Sequence, residues 1–135
     1  MLDDSMTRWL AELLGRHQAV AGTVHVVHGD DLALAAAVNI PPKVQEVTAR
    51  IPMGKGMAGI AWQRDAPVQT CNLQDDSSGN VKPGARAVDA RAAVALPVHA
   101  PTGEIRAIVG LAWMDERVLA DDVLAAISAD AASLP

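Results

Sequence analysis

Residues 54–59, GlyLysGlyMetAlaGly, and the thiol of Cys71 are the parts of this chain whose types and spacing invite chemistry. Closely spaced glycines ahead of a helix can present backbone amides to a phosphate. A nucleotide loop, however, also needs longer glycine spacing and a closing Lys-Ser or Lys-Thr pair, which this segment lacks. Glycine is the default residue where φ is positive, so a turn that admits a helix is the plainer use. Cys71 is either a redox or covalent sensor thiol beside a pocket or a small apolar residue buried at a strand end. His25, His28 and His99 fall on expected strands and His17 on the opening helix. Two of them converging on a haem or non-haem iron would give a metal centre, but no ligand-spacing motif supports one and no metal ligand is assigned. Lys82, Arg86 and Arg91 could clamp an anionic ligand or remain solvated; Asp75, Asp76 and Asp89 are explained by turn formation. Catalysis needs a nucleophile with an adjacent base, paired carboxylates or a metal, and none is evident, so the expectation is a non-catalytic protein.

The elements that must position these residues follow from patterning. At 135 residues the chain fits one domain, 1–135, with half its residues apolar and a fifth charged. A net charge of -5 and scattered Lys and Arg argue against nucleic acid and acidic membranes as partners. The longest apolar runs fall far short of the roughly 20 residues that cross a bilayer. An acidic N-terminus and one cysteine give neither a secretory signal nor a disulfide framework, and the expected location is cytoplasmic.

Met6, Trp9, Leu10, Leu13 and Leu14 recur at helical spacing, predicting a helix within 1–20 capped by Ser5 or Asp4. Sheet and pocket-forming segments are expected over 22–114. A hairpin joins the run from Gly22 to His28 with Leu32 to Val38, and the Pro41-Pro42 pair starts a short helix ending near Val47. Met57 to Arg64 allows two helical turns, Val68 to Cys71 a brief strand, and the polar stretch 74–90 a surface segment that could act as a lid. Strands around Val94 to Val98 and Ile105 to Trp113 form a second hairpin, with a closing helix over 117–133.

Alternation places Leu32, Leu34, Val94, Leu96, Val109, Leu111 and Trp113 in large-residue rows, and Ala33, Ala35, Ala37, Ala93, Ala95, Gly110 and Ala112 in small ones. Small rows let a helix approach closely or leave volume for a ligand, and sequence does not separate these outcomes.

The glycine pair Gly56 and Gly59 before a short helix, AlaProVal at 66–68, and the LeuProVal, GlyGlu hairpin across 96–111 together resemble a GAF domain over nearly the whole chain. The resemblance implies an α+β fold of GAF or PAS type. Terminal helices would lie on one face of a central antiparallel sheet, and short helices with a long loop would close a pocket on the other. Members bind cyclic nucleotides, tetrapyrroles, haem, metal centres or small metabolites, and many dimerise through terminal helices. The GAF-type free methionine-R-sulfoxide reductases are similar in size, but Met57, Ala58 and residues 87–90 stand where they place cysteines. Sulfoxide reduction needs an attacking thiolate and a second thiol to regenerate it, and Cys71 is alone. The cyclic-nucleotide and bilin patterns also fail, since the chain has no phenylalanine or tyrosine.

The resulting expectation is a small-molecule sensor or regulatory domain that acts on a separate signalling protein. Its candidate pocket residues are Met57, Trp62, Val68, Cys71, Asp76, Arg86, Asp89 and Arg91. The alternative is an interaction module with a vestigial pocket, forming a homodimer through Met6, Trp9, Leu10, Leu13, Leu119, Val123 and Ile127. A reductase-like enzyme ranks third.

Overall fold

A computed structural model describes residues 2–70 and 90–135. Helix α1 spans Asp4–His17, β1 Ala21–His28, β2 Asp31–Val38, α2 Pro42–Val47 and β3 Arg50–Pro52. Helix α3 spans Gly56–Arg64, β4 Val68–Thr70, β5 Ala92–His99, β6 Ile105–Trp113 and α4 Asp121–Ala131. The six strands form one antiparallel sheet in the order β3-β2-β1-β6-β5-β4, an α+β architecture as expected. Strand β3 was not expected; three residues pairing on an edge carry too little alternation to be read.

Helix α1 starts one residue earlier than the Ser5 or Asp4 cap predicted. The Asp3 carboxylate accepts from the Met6 amide at 3.0 Å and from the Ser5 hydroxyl at 2.6 Å. These bonds hold the Asp3 carboxyl below the usual carboxylate range. Pro42 opens α2 with Pro41 as its N-cap, where a missing amide donor costs nothing. Helix α4 is shorter than the predicted 117–133. Arg117 is held by Asp115 at 2.6 Å and lies 5.2 Å over the Trp113 ring, so the chain entering α4 is tied to the end of β6. Gln69 fastens Leu119 from both sides, accepting from its amide at 2.9 Å and donating to its carbonyl at 3.2 Å.

Helices α1 and α4 cover one sheet face. Leu10, Leu13 and Leu14 of α1 and Ile127 of α4 interlock with Val24, Val94, Leu96, Val109, Leu111 and Trp113. The Trp113 indole donates to the His17 carbonyl at 2.9 Å, and His17 meets Asp130 at 2.7 Å, joining both helices to the sheet. The opposite face carries α2 and α3. Ile60 and Ala61 of α3 pack with Leu32, Ile51, Val68 and Ile108.

The predicted large row was wrong at β2. Val24 pairs with Ala36 but His25 with Leu34, so a bulge at Ala35 reverses which residues of β2 face which side. Ala36 therefore lies under the terminal helices, while Leu32 joins α3 on the other face. A one-residue shift exchanges the two faces of a strand, and alternation alone gives no warning of it.

Candidate functional site

The face under α2 and α3 holds a cavity of about 150 Å³. Its floor consists of two adjacent cross-strand rows of small residues. Ala21, Ala112 and Ala93 form one, and Thr23, Gly110 and Ala95 the other. The next row, His25, Ile108 and Pro97, carries larger side chains. The roof is Ile40, Val44 of α2, and Met57 and Ala58 from the first turn of α3. The small-residue rows thus leave volume instead of being filled by a helix.

The glycines of residues 54–59 build that roof. Gly54 and Gly56 adopt φ values of 82° and 66°, the left-handed region where a side chain is strained. A Cβ on Gly59 would come within 2.6 Å of the Pro52 carbonyl oxygen, so only glycine lets α3 lie against β3. The segment is the turn its spacing suggested, and Gly59 adds a close approach that the spacing did not reveal.

Polar groups near the cavity are few. The Thr48 hydroxyl donates to the Val44 carbonyl at 2.8 Å, whereas Thr23 Oγ1 has no hydrogen-bond partner among the described residues. His25, only 3 % exposed, lies two residues along β1 from Thr23 on the same face. Its Nε2 is 2.8 Å from the Thr48 carbonyl oxygen, which makes Nε2 the protonated nitrogen and leaves Nδ1 buried without a partner. Burial pushes the His25 imidazole below its usual range, opposed by the Thr48 hydrogen bond.

Of the residues predicted to form the pocket, Met57 lines the cavity. Trp62 and Val68 instead pack in the α3 cluster with Ile60, because only the first turn of α3 reaches the cavity. Arg91 is half exposed, lies 3.8 Å from Glu116 and is not among the described residues that line the cavity. Cys71, Asp76, Arg86 and Asp89 lie outside the described residues, as do Asp75, Lys82 and nearly all of the expected lid. The residues missed were Thr23, Val44 and the alanines of the floor. The small-residue rows were the signal that could have found them.

The proposed dimer stripe is largely used within the chain. Leu10, Leu13, Leu119 and Ile127 are buried, and Met6 and Trp9 are part-buried against the same core, with the Trp9 indole donating to Ser133 at 3.0 Å. Val123 alone of the stripe is exposed. Helices α1 and α4 flank a sheet that absorbs their apolar sides, which a helical pattern cannot distinguish from an outward-facing seam.

A second cavity is lined by Asp65, His99 and Ser128. Asp65 and His99 meet at 2.6 Å, but no hydrogen bond joins Ser128 to His99 among the described residues, so the nucleophile-base contact of an acyl-transfer site is missing. The histidines have separate partners: His17 with Asp130, His25 with Thr48, and His99 with Asp65. Among the described residues no three His, Cys, Asp or Glu side chains cluster as metal ligands would. No helix among them is long and apolar enough to cross a membrane.

A family model described as GAF domain matches residues 2–133. A type II free methionine-R-sulfoxide reductase from Thermoplasma acidophilum is similar in structure, with a TM-score of 0.74 at 16 % identity over 96 % of this chain and 89 % of that one. The GAF domain of a phosphoenolpyruvate-protein phosphotransferase from Coxiella burnetii superposes with a TM-score of 0.74 at 17 % identity, covering 96 % and 75 %. A putative GAF sensor protein from Burkholderia vietnamiensis gives 0.74 at 14 % identity, covering 99 % and 83 %. None of the curated proteins matches the chain.

Proposed function

We propose, from the premise that this chain belongs to the GAF domain family, that it is a non-catalytic sensor or regulatory domain. A small molecule occupies the cavity between the small-residue floor and the roof of α2 and α3. The cavity carries this reading: the sheet face under α2 and α3 leaves about 150 Å³ on the side where the GAF resemblance implies a pocket. A ligand there touches β1, β5, β6, α2 and α3 together, so its binding energy favours one placement of the short helices, which a separate signalling protein can read.

The reductase chemistry of the structural neighbours is not carried over. It needs a thiolate to attack sulfur and a second thiol to release it, and this chain has one cysteine. Met57 and Ala58, not sulfur nucleophiles, occupy the first turn of α3 at the cavity. The test is native mass spectrometry of protein purified from its own host. A retained small molecule, lost on denaturation, is the expected result; a stable protein without any adduct counts against the sensor reading.

A second reading, an interaction module, is favoured by the exposure of Met114, Val118 and Val123 along the approach to α4. Sedimentation of the same sample distinguishes it, because a ligand-free dimer that Val118→Glu dissociates would place the function on that surface.

A further inference from the structure

The sensor reading leaves the ligand's chemistry open, and the cavity wall narrows it. No charged side chain lines the cavity among the described residues. An ion entering it would exchange hydration for a wall whose described residues offer no countercharge, which disfavours carboxylates, phosphates and zwitterions. The volume points the same way. About 150 Å³ lies below the roughly 300–1,000 Å³ of drug-sized sites. In volume alone it matches an engineered, enclosed aliphatic cavity of about 150 Å³ that takes benzene.

The floor rows offer one side-chain hydroxyl. Thr23 lines the cavity without a hydrogen-bond partner among the described residues, while the Thr48 hydroxyl is already bonded to Val44. Gly110 stands beside it: a Cβ there would lie 2.9 Å from Thr23 Oγ1, so glycine keeps the hydroxyl open. A hydroxyl both donates and accepts, and it can meet one polar group without demanding charge.

We infer that the cavity takes an uncharged, mainly apolar molecule of about the size of benzene or phenol, with Thr23 Oγ1 meeting its single polar group. This inference rests on the sensor reading and specifies its ligand class. Charge is the discriminating feature, and a matched set of aromatic probes isolates it.

The experiment is calorimetric titration of the whole chain with benzene, phenol and benzoate. Both neutral probes bind, and benzoate binds at least about tenfold more weakly. Thr23→Val weakens phenol about three- to tenfold and leaves benzene unchanged, because it removes one hydrogen bond at constant shape. Ala93→Leu, filling the floor, abolishes binding of both while far-ultraviolet circular dichroism is unchanged; Ala112→Val serves if that variant misfolds. Benzoate binding as tightly as phenol, or no binding of either neutral probe, overturns the inference. Host-purified protein that retains a charged metabolite overturns it too but leaves the sensor reading standing. Failure of both neutral probes together with an adduct-free protein removes both.

Discussion

The two faces of the sheet are written by alternate residues of the same strands, yet one is sealed and the other holds a cavity. Under α1 and α4, Leu96, Val109 and Leu111 meet Leu10 and Leu13, and all are essentially buried. One residue away in each strand, Ala95, Gly110 and Ala112 leave space under α2 and α3. Both faces are apolar, so hydrophobicity does not distinguish them; side-chain volume does. The sealed face also holds small residues, Ala36 and Gly22 among them. A Cβ on Gly22 would come within 2.8 Å of the Gly110 carbonyl oxygen and within 3.0 and 3.1 Å of Leu14 and Leu10, so there glycine admits a helix. Small residues in adjacent rows thus serve close packing on one side and volume on the other.

The most severe way to break this contrast is to hollow the sealed face. Leu13→Ala, at a fully buried position, should cost about 2–5 kcal/mol in chemical denaturation, since the surrounding core collapses only in part. A loss under about 1 kcal/mol would mean that α1 is not held by this face. A sharper comparison adds one methyl to each face. Gly22→Ala meets a backbone oxygen and two leucines and should cost about 1–3 kcal/mol. Gly110→Ala meets chiefly the Thr23 hydroxyl beside open volume, and its cost should stay below about 1 kcal/mol. Equal costs would show that the two faces are packed alike.

These contrasts mark what was legible in the sequence. The first hairpin, α2, α3 and the final hairpin follow from Gly29, the Pro41-Pro42 pair, residues 54–59 and Gly103, because turns and helix starts use residues whose backbone geometry is distinctive. The alanine and glycine rows were also visible, but whether they would be filled depends on how near α2 and α3 come, which is a tertiary outcome. The bulge at Ala35 was not legible, since nothing in AlaLeuAlaAlaAla marks the extra residue. Nor was the direction of the terminal helices' apolar stripe, because Leu13 facing a sheet and Leu13 facing a second copy have the same periodicity. Trp62 was taken for a pocket wall by size, whereas Thr23, small and unremarkable, lines the cavity.

Acid should act on the cavity face through His25, the buried histidine beside that floor. Its imidazole binds a proton less readily in the folded chain, chiefly because of burial. Between the lowered folded value and the ordinary value near 6.5, the unfolded chain therefore holds more protons. Stability rises with pH through that window and is lost as pH falls below about 6.5. In His25→Gln this component disappears, so the stability difference between the two proteins should shift between pH 7.5 and pH 5, with the parent losing more. A difference that stays constant with pH would show that His25 does not carry the acid sensitivity of this face.

The smallest effect belongs to the rim, where neither face is involved. Asp65, the C-cap of α3, meets His99 at the end of β5 at 2.6 Å, but the two side chains are 56 % and 44 % exposed. Water screens such a pair, and holding two mobile side chains together offsets much of the attraction, so His99→Gln should change stability by about 0–1 kcal/mol. The short distance makes the pair look important; the exposure decides otherwise. If α3 depended on this rim contact to stay over the cavity, His99→Gln would instead approach the cost of Leu13→Ala and would weaken phenol binding as well. Denaturation of the two variants side by side separates the cases: a large rim effect would mean that the cavity roof is held from its edge, and a small one that Gly59 on β3 and the Ile60 cluster hold it from within.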